Sequence, residues 1–159
     1  MKFQVTIAKL IVLNMPRLID LVDTAAVPIA RTLGVVEEHR APGHVTFSME
    51  AKPEHHNPLG TVHGGVYCDL ADMAMGIAML TTLADGEAMT TIELKINYFR
   101  PVSTGRLVAD ARVLHRGRTS GFIECEVRDA NGRLAAKCTS TCVLLTGDRA
   151  DAIFARYRT

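Results

Sequence analysis

The 159-residue sequence has almost no net charge, no CxxC pair among its four cysteines, and no apolar run approaching the roughly twenty residues a membrane span needs. A formal charge of +1 and an isoelectric point near 7.7 give no bulk electrostatic case for binding nucleic acid or a membrane surface. Cys68, Cys125, Cys138 and Cys142 read as reduced core thiols, which points to a cytoplasmic protein. The apolar stretch Ile7 to Leu13 is interrupted by Lys9, and no small-residue cleavage site follows closely. It reads as an N-terminal arm or an oligomer contact rather than a signal peptide. Internal repeats, low-complexity tracts and linkers are also missing. With 48% apolar and 22% charged residues, what remains is an ordinary globular chain, long enough for one core without disulfides or metals.

Periodicity divides that chain into elements. Residues 17 to 33 carry apolar spacing at Leu18, Leu21, Val22 and Ala25, which predicts a helix bent or broken near Pro28 and ended by Gly34. From His44 to Ala51, inward Val45, Phe47, Met49 and Ala51 alternate with polar residues, the mark of a half-buried strand. Four further strands follow residue 87, with turns at Arg100 to Gly105, Arg116 to Ser120 and Asn131-Gly132. In the first of them, Ile92, Leu94, Ile96 and Tyr98 oppose Thr91, Glu93, Lys95 and Asn97. Short turns between successive strands predict an antiparallel meander. The expected division is an arm and helix over 1–33, one α+β domain over 34–147, and a tail or short helix over 148–159.

Between the first strand and the rest lies HNPLGTVHGGVYCDLADMAMGIAMLTTL, from His56 to Leu83. After His63-Gly64-Gly65 it predicts a helix of several turns. At about 100° per residue, Val66, Leu70, Met73, Ile77 and Leu80 fall on one side, and Cys68, Ala71, Met75 and Met79 on the other. Such a helix is expected to be covered all round, so the carboxylates of Asp69 and Asp72 in its middle are candidates for chemistry, since an unpaired buried charge costs stability. The first N–H groups of a helix lack intrahelical partners and carry the positive end of its dipole. Gly64-Gly65 leaves those amides bare, so a substrate carbonyl can approach them. Asp72 stands about two turns away, roughly 12 Å of rise. A twisted antiparallel sheet of five or six strands wrapped around this helix covers only part of it and leaves sheet edges unpaired, so a dimer that joins two sheets is expected.

Asn57-x-x-Gly60-x-x-His63-Gly64-Gly65, then Leu70-Ala71-Asp72, then the strand TTIELKINYFRPV ending at Arg100-Pro101, resembles the hotdog-fold acyl-CoA thioesterases. The resemblance covers about residues 43 to 146. It is strongest to the phenylacetate-degradation branch, which also includes one class of 4-hydroxybenzoyl-CoA thioesterases. It implies that Asn57 positions the attacking water or the thioester, that the Gly64 amide polarises the carbonyl, and that His63 orients the loop. Asp72, supplied by a neighbouring subunit, would be the general base or nucleophile. Thr91, or Thr90 beside it, would hold the water. Gly65 would border the substrate, and Arg100, Arg116 and Arg118, with Thr119, would meet the coenzyme A phosphates. The implied enzyme needs no metal or organic cofactor, coenzyme A being part of the substrate. It would act as a dimer or tetramer, without nucleic-acid or membrane partners.

Competing readings exist for the same residues. His55, His56 and His63 suggest metal ligands, but their spacing matches no established set and loop histidines usually serve as scaffold. Cys68 near His63 suggests a thiol nucleophile, yet it sits on an apolar helix. At the level of function, the alternatives are an enoyl-CoA hydratase or dehydratase of the same fold and a non-catalytic acyl-CoA-binding module.

Overall fold

The structure, a computed structural model, describes residues 16–157; the expected N-terminal arm lies outside them. Six strands form one antiparallel sheet: β1 (Val36–Ala41), β2 (His44–Ala51), β3 (Ala88–Tyr98), β4 (Gly105–Arg116), β5 (Ser120–Arg128) and β6 (Leu134–Leu145). Their order across the sheet is β1-β2-β4-β5-β6-β3. The long helix, α2 (Gly64–Leu80), packs on one face of the sheet. This is the hotdog arrangement. Its core is the inward alternation of the strands, including Phe47, Met49, Leu107, Ile123 and Val127, closed by Leu70, Ala74, Met75 and Ala78 of the helix. Each fully buried large aliphatic or aromatic side chain contributes about 1.5–3 kcal/mol.

Two expectations need correction. Residues 17 to 33, expected as a helix bent or broken near Pro28, form two 3-10 turns (Leu18–Leu21, Thr24–Ala26) followed by α1 (Pro28–Leu33). Asp23 accepts a hydrogen bond from the Ala25 amide, Pro28 fixes the first turn of α1, and Gly34, at φ 67°, ends it. β1 is the sixth of the expected five or six strands, too charged for hydrophobic alternation to locate. The last four strands are not a simple meander. Among the described residues β3 pairs only with β6, and the chain then crosses to place β4 between β2 and β5.

The sheet covers only part of α2, as expected of a sheet wrapped around a helix that is apolar all round. Asp69 and Asp72 are exposed, and with the half-exposed Gly65 and Gly76 they form an uncovered stripe along the helix. β3 is the matching open edge of the sheet, where Ile92 is 65% exposed. C-terminal to the sheet, α3 (Asp148–Phe154) buries Ala150 and Phe154. All four cysteines are free thiols.

Candidate functional site

The loop before α2 is pinned by its own polar groups. Asn57 Oδ1 accepts from the Leu59 amide at 2.9 Å, and Asn57 Nδ2 donates to Thr61 Oγ1 at 3.0 Å. One Nδ2 hydrogen therefore remains for a ligand. His56 Nε2 lies 2.6 Å from the Ser103 carbonyl, while the His63 amide donates to the His55 carbonyl at 2.8 Å. Buried His55 accepts from the Lys52 amide through Nδ1, so the three histidines are each engaged with different backbone groups.

His63 is the N-cap of α2, its Nδ1 accepting from the Gly65 amide at 2.9 Å. This bond fixes the ring with its hydrogen on Nε2 and uses the Gly65 N–H. Among the described residues the Gly64 N–H has no acceptor. Glycine at 64 has a local cause, which the sequence reading missed. A Cβ there would lie 2.7 Å from Tyr98 Oη, whose hydroxyl donates to the Gly64 carbonyl at 3.0 Å. Burial, then contact with Cys68 Sγ, pushes the Tyr98 phenol up to about 12, so it stays protonated as a donor. Asn57, Gly64, Tyr98 and Arg100 border one cavity of about 410 Å³.

Asp72 opens elsewhere. It lines a second cavity of about 350 Å³ between α2 and β3, with Thr90, Thr91 and apolar Met73, Ile77 and Met89. Although its surface meets water, the surrounding atoms desolvate the carboxylate and, with the charge of Asp69, raise its pKa. Thr91 reaches this cavity because of a bulge between Thr91 and Glu93. Thr91 sits opposite Cys142 and Leu94 opposite Ser140, both core-facing, so the bulge turns Thr91 to the helix side and Ile92 out. Simple alternation had put Thr91 on the face opposite Leu94.

The arginines are separated as well. Arg100 borders the Gly64 cavity, whereas Arg116, Arg118 and Thr119 lie at the β4–β5 turn, near the other end of α2, where Gly121 packs on Met79. Arg116 is ion-paired with Glu87, and it donates to the Gly117 carbonyl at 2.8 Å. Arg118 and Thr119 are exposed. Within one chain, the amide end and the carboxylate thus open to different cavities, with one carboxylate able to take a proton and one amide able to bind an oxyanion.

Residues 59–136 match the Thioesterase superfamily. The proofreading thioesterase EntH of Klebsiella pneumoniae is 31% identical over 106 residues, covering 67% of this chain and 77% of that protein. The chain belongs to the thioesterase superfamily. Human acyl-coenzyme A thioesterase 13 is 34% identical over 99 residues, 61% of this chain and 70% of its own length. The Escherichia coli PaaI protein, from the phenylacetic acid degradation operon, superposes with a TM-score of 0.72 at 23% identity, over 77% of this chain and 88% of that one. Family and relatives together support a thioester hydrolase. Among the described residues, no helix is long and apolar enough to cross a membrane.

Proposed function

We propose that this thioesterase-family protein hydrolyses acyl-CoA thioesters in the cytoplasm, at sites shared between two subunits, without metal or organic cofactor. The observation that carries the proposal is the division just described: the free Gly64 amide and the desolvated Asp72 carboxylate sit on one rigid helix, roughly 12 Å apart in rise, facing separate cavities. No single carbonyl can touch both groups of one chain. Two copies of α2 packed antiparallel on the uncovered side of the helix, with the two-fold axis near residue 68, set each Gly64 against the partner copy's carboxylate. Glycines at 65 and 76 allow close approach there, and the open β3 edge supplies a second contact between sheets. The same two-fold relation brings the Arg116–Thr119 turn toward the partner copy's Arg100 end, where the coenzyme A phosphates would be held.

In this reading the thioester carbonyl oxygen accepts a hydrogen bond from Gly64 N–H, which stabilises the oxyanion as the carbonyl becomes tetrahedral. Asp72 either takes a proton from the attacking water or attacks the carbonyl itself and is regenerated by water; Thr91 and the remaining Asn57 Nδ2 hydrogen hold that water. The C–S bond then breaks. Coenzyme A leaves as the thiol and the acyl group as the acid. Thiol release from a panel of short, medium, long and aryl acyl-CoAs tests the activity, and background rates across the whole panel would refute it. Loss of the conjugated absorbance of an enoyl-CoA without thiol release would instead indicate a hydratase. Mixing separately inactive Asp72→Asn and Gly64→Ala chains tests the shared site. Random re-pairing leaves half the dimers mixed, each with one intact site, so about a quarter of wild-type activity should return. No recovery after verified subunit exchange would place both groups in one chain's site.

A further inference from the structure

The Asp72 cavity does not end at the helix. A second cavity of about 240 Å³ lies behind it, between α1, β1 and the helix, and the two share Thr24 and Met73 as walls. Ala25, Ala30, Val35, Val36 and Phe47 make this inner cavity mainly apolar. The partition is held from one side. Thr24 Oγ1 donates to Glu37 Oε2 at 2.7 Å, and Glu37 is in turn held by Arg40 Nε at 2.5 Å. Burial alone would raise the Glu37 carboxyl, but Arg40 and Thr24 outweigh it and keep it lowered and charged. On the other side stands Met73, unbranched and half-exposed, a side chain that can swing aside without disturbing the backbone.

We infer that the two cavities form one bent acyl channel, gated by Met73 and roofed by residues 22–27, which selects linear acyl chains long enough to pass into the inner cavity. This deepens the acyl-CoA reading and rests on it. Only the acyl portion of such a substrate is apolar enough to leave water here, because coenzyme A carries the charged phosphates. With the reacting carbonyl beside Asp72, the chain enters the outer cavity first, and a flexible polymethylene follows the bend past Thr24 and Met73. A rigid ring stops at the partition. Val22, Thr24, Val27 and the inner walls from Ala25 to Phe47 all lie outside residues 59–136, the segment that matches the superfamily. Apart from the Met73 gate, which stands beside Asp72 on α2, the inner-cavity walls that would select chain length belong to a part of the sequence separate from the chemistry.

The test uses S-alkyl-coenzyme A thioethers, from ethyl to tetradecyl, which cannot be hydrolysed, with binding measured by calorimetry on the full-length protein. Affinity should rise about fourfold per added methylene, the equivalent of about 0.8 kcal/mol, and continue to rise after the outer cavity is full. Val36→Trp fills the inner cavity from a position that is 56% exposed, so the fold should tolerate it. In that variant the ratio of long-chain to short-chain affinity should fall at least tenfold, and Ala25→Leu, also at an exposed position, should reproduce part of the effect. Affinity independent of chain length, or the same length dependence in folded Val36→Trp, overturns the channel. If no acyl-CoA is hydrolysed but the truncated length dependence appears, the channel stands and the hydrolase reading falls. If hydrolysis proceeds with no length dependence, only the channel falls.

Discussion

Replacing Asp72 by Asn preserves volume and most hydrogen-bonding capacity while removing the charge that a base or nucleophile needs. A fall in kcat of roughly 10² or more is expected, about 2.7 kcal/mol or more of lost transition-state stabilisation. Stability should move the other way. Burial first, and Asp69 second, raise the folded-state pKa of Asp72 above its unfolded value. The stability tied to this group is therefore fully present below the unfolded value, about 3.9, and is lost as pH rises through the raised folded value. At neutral pH the asparagine variant escapes that loss, so its Tm should equal or exceed that of the parent chain. Asp69→Asn completes the comparison: it removes the neighbouring charge, should retain most activity, and should move the acidic limb of the pH–rate profile to lower pH. The assays are acyl-CoA thiol release across pH and thermal melts at pH 7. Near-parental turnover by Asp72→Asn, or loss of turnover explained by unfolding, would falsify the catalytic assignment. An unmoved acidic limb in Asp69→Asn would show that the coupling between the two carboxylates does not govern the titration.

Gly64→Ala puts a Cβ 2.7 Å from Tyr98 Oη and forces that ring away. Loss of the Tyr98 hydrogen bond, about 1 kcal/mol, is offset by a helix-propensity gain of up to similar size, so Tm should barely change, while kcat/KM should fall because the Cβ and the displaced ring crowd the approach to an N–H that alanine still carries; a variant with unchanged kinetics would show that the carbonyl does not approach the amide at this position. Arg116→Ala strips Glu87 of its partner and should lower stability by about 1 kcal/mol, seen as a lower denaturant midpoint. Arg118→Ala should leave stability alone and raise KM severalfold for acyl-CoA but not for the matching acyl-pantetheine, which lacks the nucleotide phosphates; equal KM changes for both would count against a phosphate contact.

What the sequence revealed depended on whether a property is local. The helix from Gly64 and the strands with regular alternation were legible because apolar spacing and turn residues act over a few positions. β1 was hidden since VEEHRA is an edge strand, exposed on most of its length, where hydrophobic pattern carries no signal. Thr91 was placed on the wrong face because a single bulged residue reverses the phase of everything before it, and bulges leave no reliable mark in composition. Gly64 was identifiable as a bare amide, but the reason for its bareness, Tyr98, lies 34 residues away in sequence. Apolarity around α2 marks a helix to be covered on all sides, and the chain's own sheet, as expected, leaves one stripe uncovered. The hydrophobic pattern reports that a surface is to be covered, not which molecule covers it.

That distinction bears on how such a site can change its substrate. Gly64 and Asp72 are fixed relative to each other by the hydrogen bonds of one helix, so their geometry is insensitive to what packs at the ends of the chain. The walls behind Asp72 are built differently, from short 3-10 turns and a six-residue helix held by capping and by the Thr24–Glu37 bond. Substitutions there alter cavity shape at a cost of a few contacts, while substitutions along α2 disturb the sheet, the helix and the groups poised for chemistry together. A fold arranged in this way lets acyl preference drift through residues 22–37 while the hydrolytic groups stay where they are, because the two meet chiefly across the Asp72 cavity and at Met73 rather than through shared helix packing.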